Sequence, residues 1–176
     1  MPRFEIDVDP VDHITSDAIG QPGQRVFYIQ AWQDQRTVTV IIEKTQLQSL
    51  AVGVEQFMAQ IMAENPELEE ASGDYIEDKM HIHPPVEPLF RVGEIGLGYE
   101  RERDLVVLFV KELLPEDTTD PESAAVVRFW GTRSQVRSMA RWGVEVVQRG
   151  RPLCPQCRQP MEPEGHFCPK KNGHKH

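Results

Sequence analysis

Residues 25–44, RVFYIQAWQDQRTVTVIIEK, decide the fold class of this chain. They consist of two runs rich in β-branched and aromatic residues, which are separated by the polar pair Asp34-Gln35. Such runs favour β-strands, and a short polar connection between them favours a tight hairpin. The stretch therefore predicts two antiparallel strands, one over residues 25–33 and one over residues 36–44.

A helix is predicted directly after the second strand. Thr45 and Gln48 have the spacing of a capping box, which marks the start of a helix. Apolar residues then recur at the helical spacing up to Asn65-Pro66, where the proline ends the helix. These residues are Leu47, Leu50, Ala51, Val54, Phe57, Met58 and Ile61. The acidic residues 67–88 that follow end in proline, and we interpret them as a mobile loop with room for a short helical turn.

The second half of the chain has the same order of elements. Strands are predicted over residues 89–99, 104–113 and 124–131 from their β-branched and aromatic composition. A second helix is predicted over residues 133–148, where apolar residues again form one face. That face consists of Val136, Met139, Ala140, Gly143, Val144 and Val147.

The two predicted helices have similar sequences. Residues 45–51 of the first helix, TQLQSLA, align with residues 134–140 of the second, SQVRSMA. A repeated pattern of this kind indicates an internal duplication. We therefore expect an α+β fold in which two helices pack against antiparallel sheet, built from a duplicated strand-strand-helix unit at about residues 19–65 and 89–149. This body would occupy residues 1–150.

The segment that follows, residues 151–176, contains every cysteine of the chain. Cys154 and Cys157 form a CPQC motif, and Cys168 lies in the sequence HFCP. Two thiolates at this spacing suit one zinc ion, and an odd number of cysteines argues against a disulfide framework. The prolines of the segment also exclude the helix that follows a redox CxxC motif. We therefore predict a zinc knuckle here.

A histidine is the fourth ligand in this prediction. His166 is the first choice, because it lies two residues before Cys168 and side chains at that spacing on an extended segment point to one face. His174 is the alternative, and the terminal His176 is a third. The resulting Cys3His site has no open coordination position, so the zinc would be structural rather than catalytic.

The composition of the chain bears on its partners and its location. The net charge is −9 and the isoelectric point is near 5.1, whereas a general nucleic-acid coat protein is usually basic. The N-terminus is charged where a signal peptide would be apolar, and no apolar run reaches the length of about 18 residues that a membrane span needs. Reduced thiols that bind zinc suit a reducing compartment. We therefore expect a cytoplasmic protein without a membrane segment.

The body has weaker candidate sites, since it contains no P-loop, dinucleotide-binding glycine motif, nucleophile elbow or HExxH motif. Arg25 follows two glycines and a proline, a composition able to bring backbone amides and a guanidinium group to an anion. A plain Pro-Gly turn explains the same residues, and we favour it. His81 and His83 have the spacing of metal ligands on a strand, but no third ligand has a matching spacing, so a solvated loop is favoured.

Arg133, Arg137 and Arg141 recur at every fourth position of the second helix. They could form a binding surface for an anionic partner, such as phosphate, nucleic acid or an acidic protein. They could equally be a solvated face paired with the acidic middle segment, and we favour this interpretation. Trp142 lies away from the apolar face of the helix and is a candidate contact residue.

Several stretches of the chain resemble a known family. The sequences GQPGQRVFYIQA, RPLCPQC and GHFCPKKNG are similar to those of a bacterial domain of unknown function that is best represented in actinobacteria. The resemblance spans nearly the whole chain and implies that Cys154, Cys157, His166 and Cys168 bind the metal. Family members are encoded beside a phosphomutase-like and a kinase-like protein, which implies a phosphate-related pathway. The acidic residues 64–78 are an insertion relative to the family.

These observations lead to three hypotheses about function. The first is a cytoplasmic, non-enzymatic binding or adaptor protein that presents its zinc-bearing C-terminus to a protein partner. The second is an enzyme that acts on a phosphorylated small molecule through Arg25 and the arginine helix. The third is an RNA-binding or DNA-binding protein, which the acidic net charge makes the least favoured.

Overall fold

The computed structural model of the chain describes residues 1–149. The predicted tail and its zinc ligands lie outside the described residues; these ligands are Cys154, Cys157, His166 and Cys168, with His174 as the alternative. Within residues 1–149 the chain forms seven strands and two α-helices. The strands are β1 (Glu5–Val8), β2 (His13–Ile19), β3 (Val26–Gln33), β4 (Arg36–Ile42), β5 (Val92–Glu100), β6 (Leu105–Glu112) and β7 (Val126–Thr132). The helices are α1 (Lys44–Glu64) and α2 (Arg133–Arg149).

The described strands form two sheets. β2, β3 and β4 lie in this order in a three-stranded antiparallel sheet, and the second sheet has the order β1-β7-β6-β5. β6 is antiparallel to both of its neighbours, β5 and β7, whereas β1 runs parallel to β7, with Ile6 opposite Val127. The predicted α+β fold with two helices and antiparallel sheet is therefore confirmed. β1 and β2 add to the predicted strands, and the parallel pairing of β1 makes the second sheet mixed.

The hairpin predicted from residues 25–44 is present as β3 and β4. Gln33 pairs with Arg36 at its end. Asp34 in the turn has a φ of 54°, in the left-handed region that tight hairpin turns use. The polar pair between the two runs thus forms the turn that the sequence predicts.

The start of α1 lies two residues before the predicted one. The helix begins at Lys44, and the backbone N–H of Glu43 donates to Oε1 of Gln46 over 2.8 Å. The predicted capping box of Thr45 and Gln48 is therefore wrong, because Glu43 is the residue that precedes the first helical turn.

Both halves of the body have the same order of elements, in which three antiparallel strands precede a helix. At the start of α2, the N–H of Thr132 donates to Oε1 of Gln135 over 2.9 Å, and the N–H of Gln135 donates to Oγ1 of Thr132 over 3.0 Å. Gln135 aligns with Gln46 in the sequence comparison above. This agreement supports the predicted duplication, which stays a prediction.

α1 and α2 pack against each other and run in opposite directions. Gly143, near the end of α2, lies against Leu47 at the start of α1, whereas Arg133 contacts Met62 near the end of α1. One core joins both helices to the inner faces of both sheets. It includes Val8, Ile14, Ile29, Val40, Leu47, Val54, Leu108, Phe129, Val136 and Met139. Neither described helix combines the length and the apolar character that crossing a membrane requires.

Trp142 belongs to this core, where it is only 1% exposed. The rings of Tyr75 and His81 meet its indole edge-on, each with 5.5 Å between ring centroids. The prediction that Trp142 is an exposed contact residue is therefore wrong. The side of α2 away from the sheets is covered by chain from the acidic middle segment, which helical periodicity alone does not reveal.

Candidate functional site

The arginine face of α2 lies against residues 69–83, which we call the strap. Arg133 is the most buried of its three arginines, at 9% exposure. Its Nε and Nη2 donate to the carboxylate of Asp104 over 2.8 and 3.2 Å, and its Nη1 donates to the carbonyl of Glu69 over 2.8 Å. The hydrogen bonds of this pair raise the pKa of Arg133 and lower the pKa of Asp104. Arg133 thus joins the strap to the loop between β5 and β6.

Arg137 binds α1 and the strap at once. Its Nε and Nη2 donate to the carboxylate of Glu55 over 2.9 and 3.0 Å, and its Nη1 donates to the carbonyl of Ala71. These hydrogen bonds lower the pKa of Glu55 and raise the pKa of Arg137. Arg141 is more exposed and lies 3.7 Å from Glu55. The strap backbone rests on it, since a Cβ added to Gly73 would come within 2.4 Å of the Arg141 side chain.

Two serines of α2 bind the strap between the arginines. Oγ of Ser134 accepts a hydrogen bond from the N–H of Ser72 over 3.0 Å, and Oγ of Ser138 donates to the carbonyl of Asp74 over 2.7 Å. The favoured interpretation was a solvated face paired with the acidic middle segment. The contacts are those of such a pairing, but Arg133 and Arg137 are largely buried rather than solvated. Several of the contacts involve the backbone of the segment rather than its carboxylates. Binding of an external anion by the three arginines stays a prediction.

The second half of the strap lies across β2. The hydroxyl of Thr15, which is fully buried, donates to the carbonyl of Met80 over 2.5 Å. The carboxylate of Asp17 accepts a hydrogen bond from the N–H of Ile82 over 3.1 Å. A short 3-10 helix at Glu77–Lys79 separates this part of the strap from the part on α2.

Gln30 of β3 holds the end of the strap with both ends of its amide group. Its Oε1 accepts from the N–H of His83 over 2.8 Å, and its Nε2 donates to the carbonyl of His83 over 3.2 Å. The same Nε2 donates to Oγ1 of Thr39 over 3.0 Å. Gln30 and Thr39 are buried, so these bonds satisfy polar groups that water does not reach.

The histidines of the strap contact the sheet rather than each other. Nδ1 of His81 lies 3.1 Å from the carboxylate of Asp17. His83 and His13 both lie against the ring of Trp32, with centroid distances of 4.8 and 5.3 Å. Burial lowers the pKa of His13. In residues 1–149, no three side chains of His, Cys, Asp or Glu are grouped so that they could hold a metal ion.

Arg25 lies at the end of α2 rather than beside the arginine face. Its Nη1 and Nη2 donate to the carbonyls of Val146 and Val147 over 2.8 and 3.3 Å. A guanidinium group close to the C-terminal carbonyls of a helix interacts favourably with the helix dipole. Burial lowers the pKa of Arg25. Gly20 and Gly23 before it have positive φ, as the favoured turn requires, and binding of an anion by Arg25 stays a prediction.

Sequence reasoning did not predict a groove between the first half of α1 and the strand β5. Its volume is about 400 Å³, and the residues of the described chain that line it are all uncharged. The lining residues are Thr45, Gln46, Ser49, Leu50, Gly53, Gly93, Ile95, Gly96 and Leu97. Gly53 is the signal that could have revealed it, because glycine in the middle of a helix is unfavourable without a packing reason.

Comparisons with known proteins identify the family of this chain. No curated protein and no solved structure matches it. A family model described as a protein of unknown function, DUF3090, matches residues 6–168. This match covers the sheets, both helices, the strap and the cysteines of the tail. The chain therefore belongs to the DUF3090 family of proteins of unknown function.

Proposed function

We propose that the protein is a non-enzymatic binding or adaptor protein of the cytoplasm. In this proposal Cys154, Cys157, His166 and Cys168 hold a structural zinc ion, and the zinc knuckle at residues 151–176 is presented to a protein partner. The CPQC motif and the HFCP sequence support the metal, because their spacing suits a closed tetrahedral site. His174 is the alternative fourth ligand.

For the body, the main support for the proposal is the set of contacts between the strap and the rest of the chain. The arginines and histidines that would be the first candidates for substrate chemistry bind groups of the chain itself. Arg133 and Arg137 neutralise Asp104 and Glu55 and bind backbone carbonyls, and Arg25 binds carbonyls of α2. These side chains stabilise a scaffold, which is what a binding protein needs.

The alternatives of a phosphate-acting enzyme and a nucleic-acid-binding protein draw on the same arginines. Each would need guanidinium groups whose donors are available to a ligand. Among Arg133, Arg137 and Arg141, the most available is Arg141, with a side chain that is 51% exposed. A single exposed arginine beside Glu55 offers little attraction to a polyanion, so the binding or adaptor function is favoured.

The zinc part of the proposal is tested by metal analysis of the purified full-length protein. We expect about one equivalent of zinc per chain, because a closed structural site binds tightly. The variants Cys154→Ser and Cys168→Ser should lose the metal, whereas a His166→Ala variant loses it only if His166 rather than His174 is the ligand. A wild-type content below about half an equivalent contradicts the zinc site.

The adaptor part is tested by affinity purification of the tagged protein from its native host, with and without nuclease. A stoichiometric protein partner that remains after nuclease treatment is the expected result. Recovery that depends on nucleic acid would favour the third hypothesis instead. Stabilisation by a phosphorylated metabolite that is lost in Arg25→Ala would favour the enzyme.

A further inference from the structure

We infer that the groove between α1 and β5 binds an extended segment of a partner protein, which adds to the second sheet as a strand beside β5. This inference rests on the proposed binding function and names the surface that carries it. The expected segment has small or apolar side chains facing α1 and a lysine or arginine next to Glu94. Four observations on the groove lead to it.

The first observation is the free edge of β5. Within the second sheet, β6 is the strand neighbour of β5. β4 pairs with Arg91, directly before β5, through a bridge at Ile41, and no described strand other than β6 pairs with Val92–Glu100. Edge strands present a row of backbone donors and acceptors that pair readily with another extended chain. Natural proteins usually protect such an edge, and β5 is long for an edge strand, with nine residues from Val92 to Glu100.

The second observation is that a side chain already takes the place of a neighbouring strand at one end of this edge. Nε2 of Gln46 donates to the carbonyls of Val92 and Gly93 over 3.0 and 3.3 Å. In the part of the chain that the structure describes, no comparable contact is made with the backbone from Ile95 to Tyr99 on this side. In an edge strand only the backbone groups of alternate residues point away from the neighbouring strand, so those of β5 that do not pair with β6 lie on this side, and the groove continues where Gln46 ends.

The third observation is the space above β5. A Cβ added to Gly53 of α1 would meet nothing within 4 Å, so the packing of the described chain does not require this glycine. Ser49 lies one helical turn before it and is also small. Across the groove, Ile95 and Leu97 are partly buried and lie on the same face of β5. Two small residues facing two apolar ones leave a channel that alternate side chains of a strand would fill.

The fourth observation is charge, which decides between possible occupants. Within residues 1–149 the groove wall is uncharged, so these residues offer no cation there to a phosphorylated ligand or a nucleic acid. A second copy of this chain is disfavoured, since antiparallel pairing of β5 with itself about Leu97 would place Glu94 opposite Glu100 of the other copy. Glu94 is exposed and lies opposite Lys111 of β6, and its side toward the free edge has no charged partner on a described strand. A segment of another protein avoids the repulsion between two copies of β5. A basic residue in that segment next to Glu94 would be attracted to its carboxylate.

The experiment uses the full-length protein and a phage-displayed library of random short peptides. Enriched peptides should show apolar residues at alternate positions together with a basic residue. Their synthetic versions are then measured for affinity with the wild type, with Gly53→Arg and with Gln48→Arg. Gly53→Arg fills the groove, whereas Gln48 is exposed on the same helix and lies outside the groove, which makes Gln48→Arg the matched control.

We expect Gly53→Arg to weaken peptide binding by about tenfold or more, and Gln48→Arg to leave it within about twofold. Bound peptide should also slow amide hydrogen exchange in β5. Thermal unfolding of both variants checks that they are folded. The inference is overturned if no peptide is enriched, if both variants bind equally well, or if the protected amides lie outside β5. It is also overturned if the protein forms a dimer that Gly53→Arg dissociates.

A failure of the groove inference can be told apart from a failure of the proposed adaptor function. If a partner copurifies equally with wild type and Gly53→Arg, the protein is an adaptor that uses another surface. If the library peptides bind in the groove but the host yields no protein partner, the site exists and the adaptor function fails.

Discussion

Gln46 and Gln135 make equivalent contacts at the starts of α1 and α2. Each Oε1 accepts a hydrogen bond from the backbone N–H of the residue before the helix, over 2.8 Å from Glu43 and 2.9 Å from Thr132. Each Nε2 also donates to a backbone carbonyl of the other half of the body. In each helix, one glutamine side chain therefore caps the first turn and also holds the helix against the other half of the body.

Replacing either glutamine should destabilise the protein more than a surface change does. We expect Gln46→Ala and Gln135→Ala each to lower the free energy of unfolding by about 1–2 kcal/mol, because each removes a capping bond and a contact between the halves. Gln48→Ala, on the exposed side of α1, should change it by less than about 0.5 kcal/mol. Urea denaturation of the three variants checks this, and equal effects at all three positions would contradict it.

The attachment of the strap to β3 should depend on Gln30. The change Gln30→Ala leaves the backbone of His83 and the hydroxyl of Thr39 without their buried partner, so we expect a loss of about 2–3 kcal/mol in the free energy of unfolding. Hydrogen exchange of the N–H of His83 should accelerate at the same time. Gln60→Ala, at an exposed position of α1, is the control. Unchanged exchange at His83 would show that Gln30 does not hold the strap.

The pair of Arg137 and Glu55 should show energetic coupling that depends on pH. A double-mutant cycle with Arg137→Met and Glu55→Gln should give a coupling of about 1 kcal/mol at neutral pH, because the two side chains share two hydrogen bonds. Folding lowers the pKa of Glu55, so its stabilising contribution is present above the pKa of the unfolded state. It is lost as the pH falls through the lower pKa of the folded state. Coupling that persists when Glu55 is protonated would contradict the ion pair.

His13 should make the protein less stable at mildly acidic pH. Burial lowers the pKa of His13 in the folded state, so the unfolded chain takes up the proton at a higher pH than the folded one. The contribution of neutral His13 is therefore present above about pH 6.5 and is lost as the pH falls toward the lower folded value. We expect an NMR titration midpoint for His13 below 6.5, and a flatter dependence of stability on pH in His13→Phe. A midpoint at or above 6.5 would contradict the effect of burial.

The parts of the fold that sequence could predict are those with a local pattern. The hairpin of β3 and β4 follows from two β-branched runs and a polar turn, and both helices follow from apolar periodicity. The strand β2 has no such pattern, since its buried residues include Thr15 and Ser16, whose hydroxyls bond to backbone carbonyls. β1 is only four residues long, and its parallel pairing with β7 joins distant parts of the chain.

The contacts of the candidate site were also harder to predict, because they join distant parts of the chain. Arg133, Arg137 and Arg141 could be recognised as a face, and pairing with the acidic segment was the favoured interpretation. Arg133 and Arg137 bind strap carbonyls that lie more than 60 positions away in the sequence. Contacts over such distances produce no local spacing pattern. Arg25 likewise reaches α2 across most of the chain. The zinc site stays a prediction from the motif in the tail.

The strap has a consequence for how the sequence can change over time. Side chains of α2 and β2 form hydrogen bonds mainly with its peptide groups, at Glu69, Ala71, Ser72, Asp74 and Met80. Every amino acid offers the same carbonyl, so mutations that alter the outward side chains of the strap leave these bonds in place. The outward side chains of the strap can thus be replaced, and the surface there changed, without loss of the bonds that hold its backbone in place.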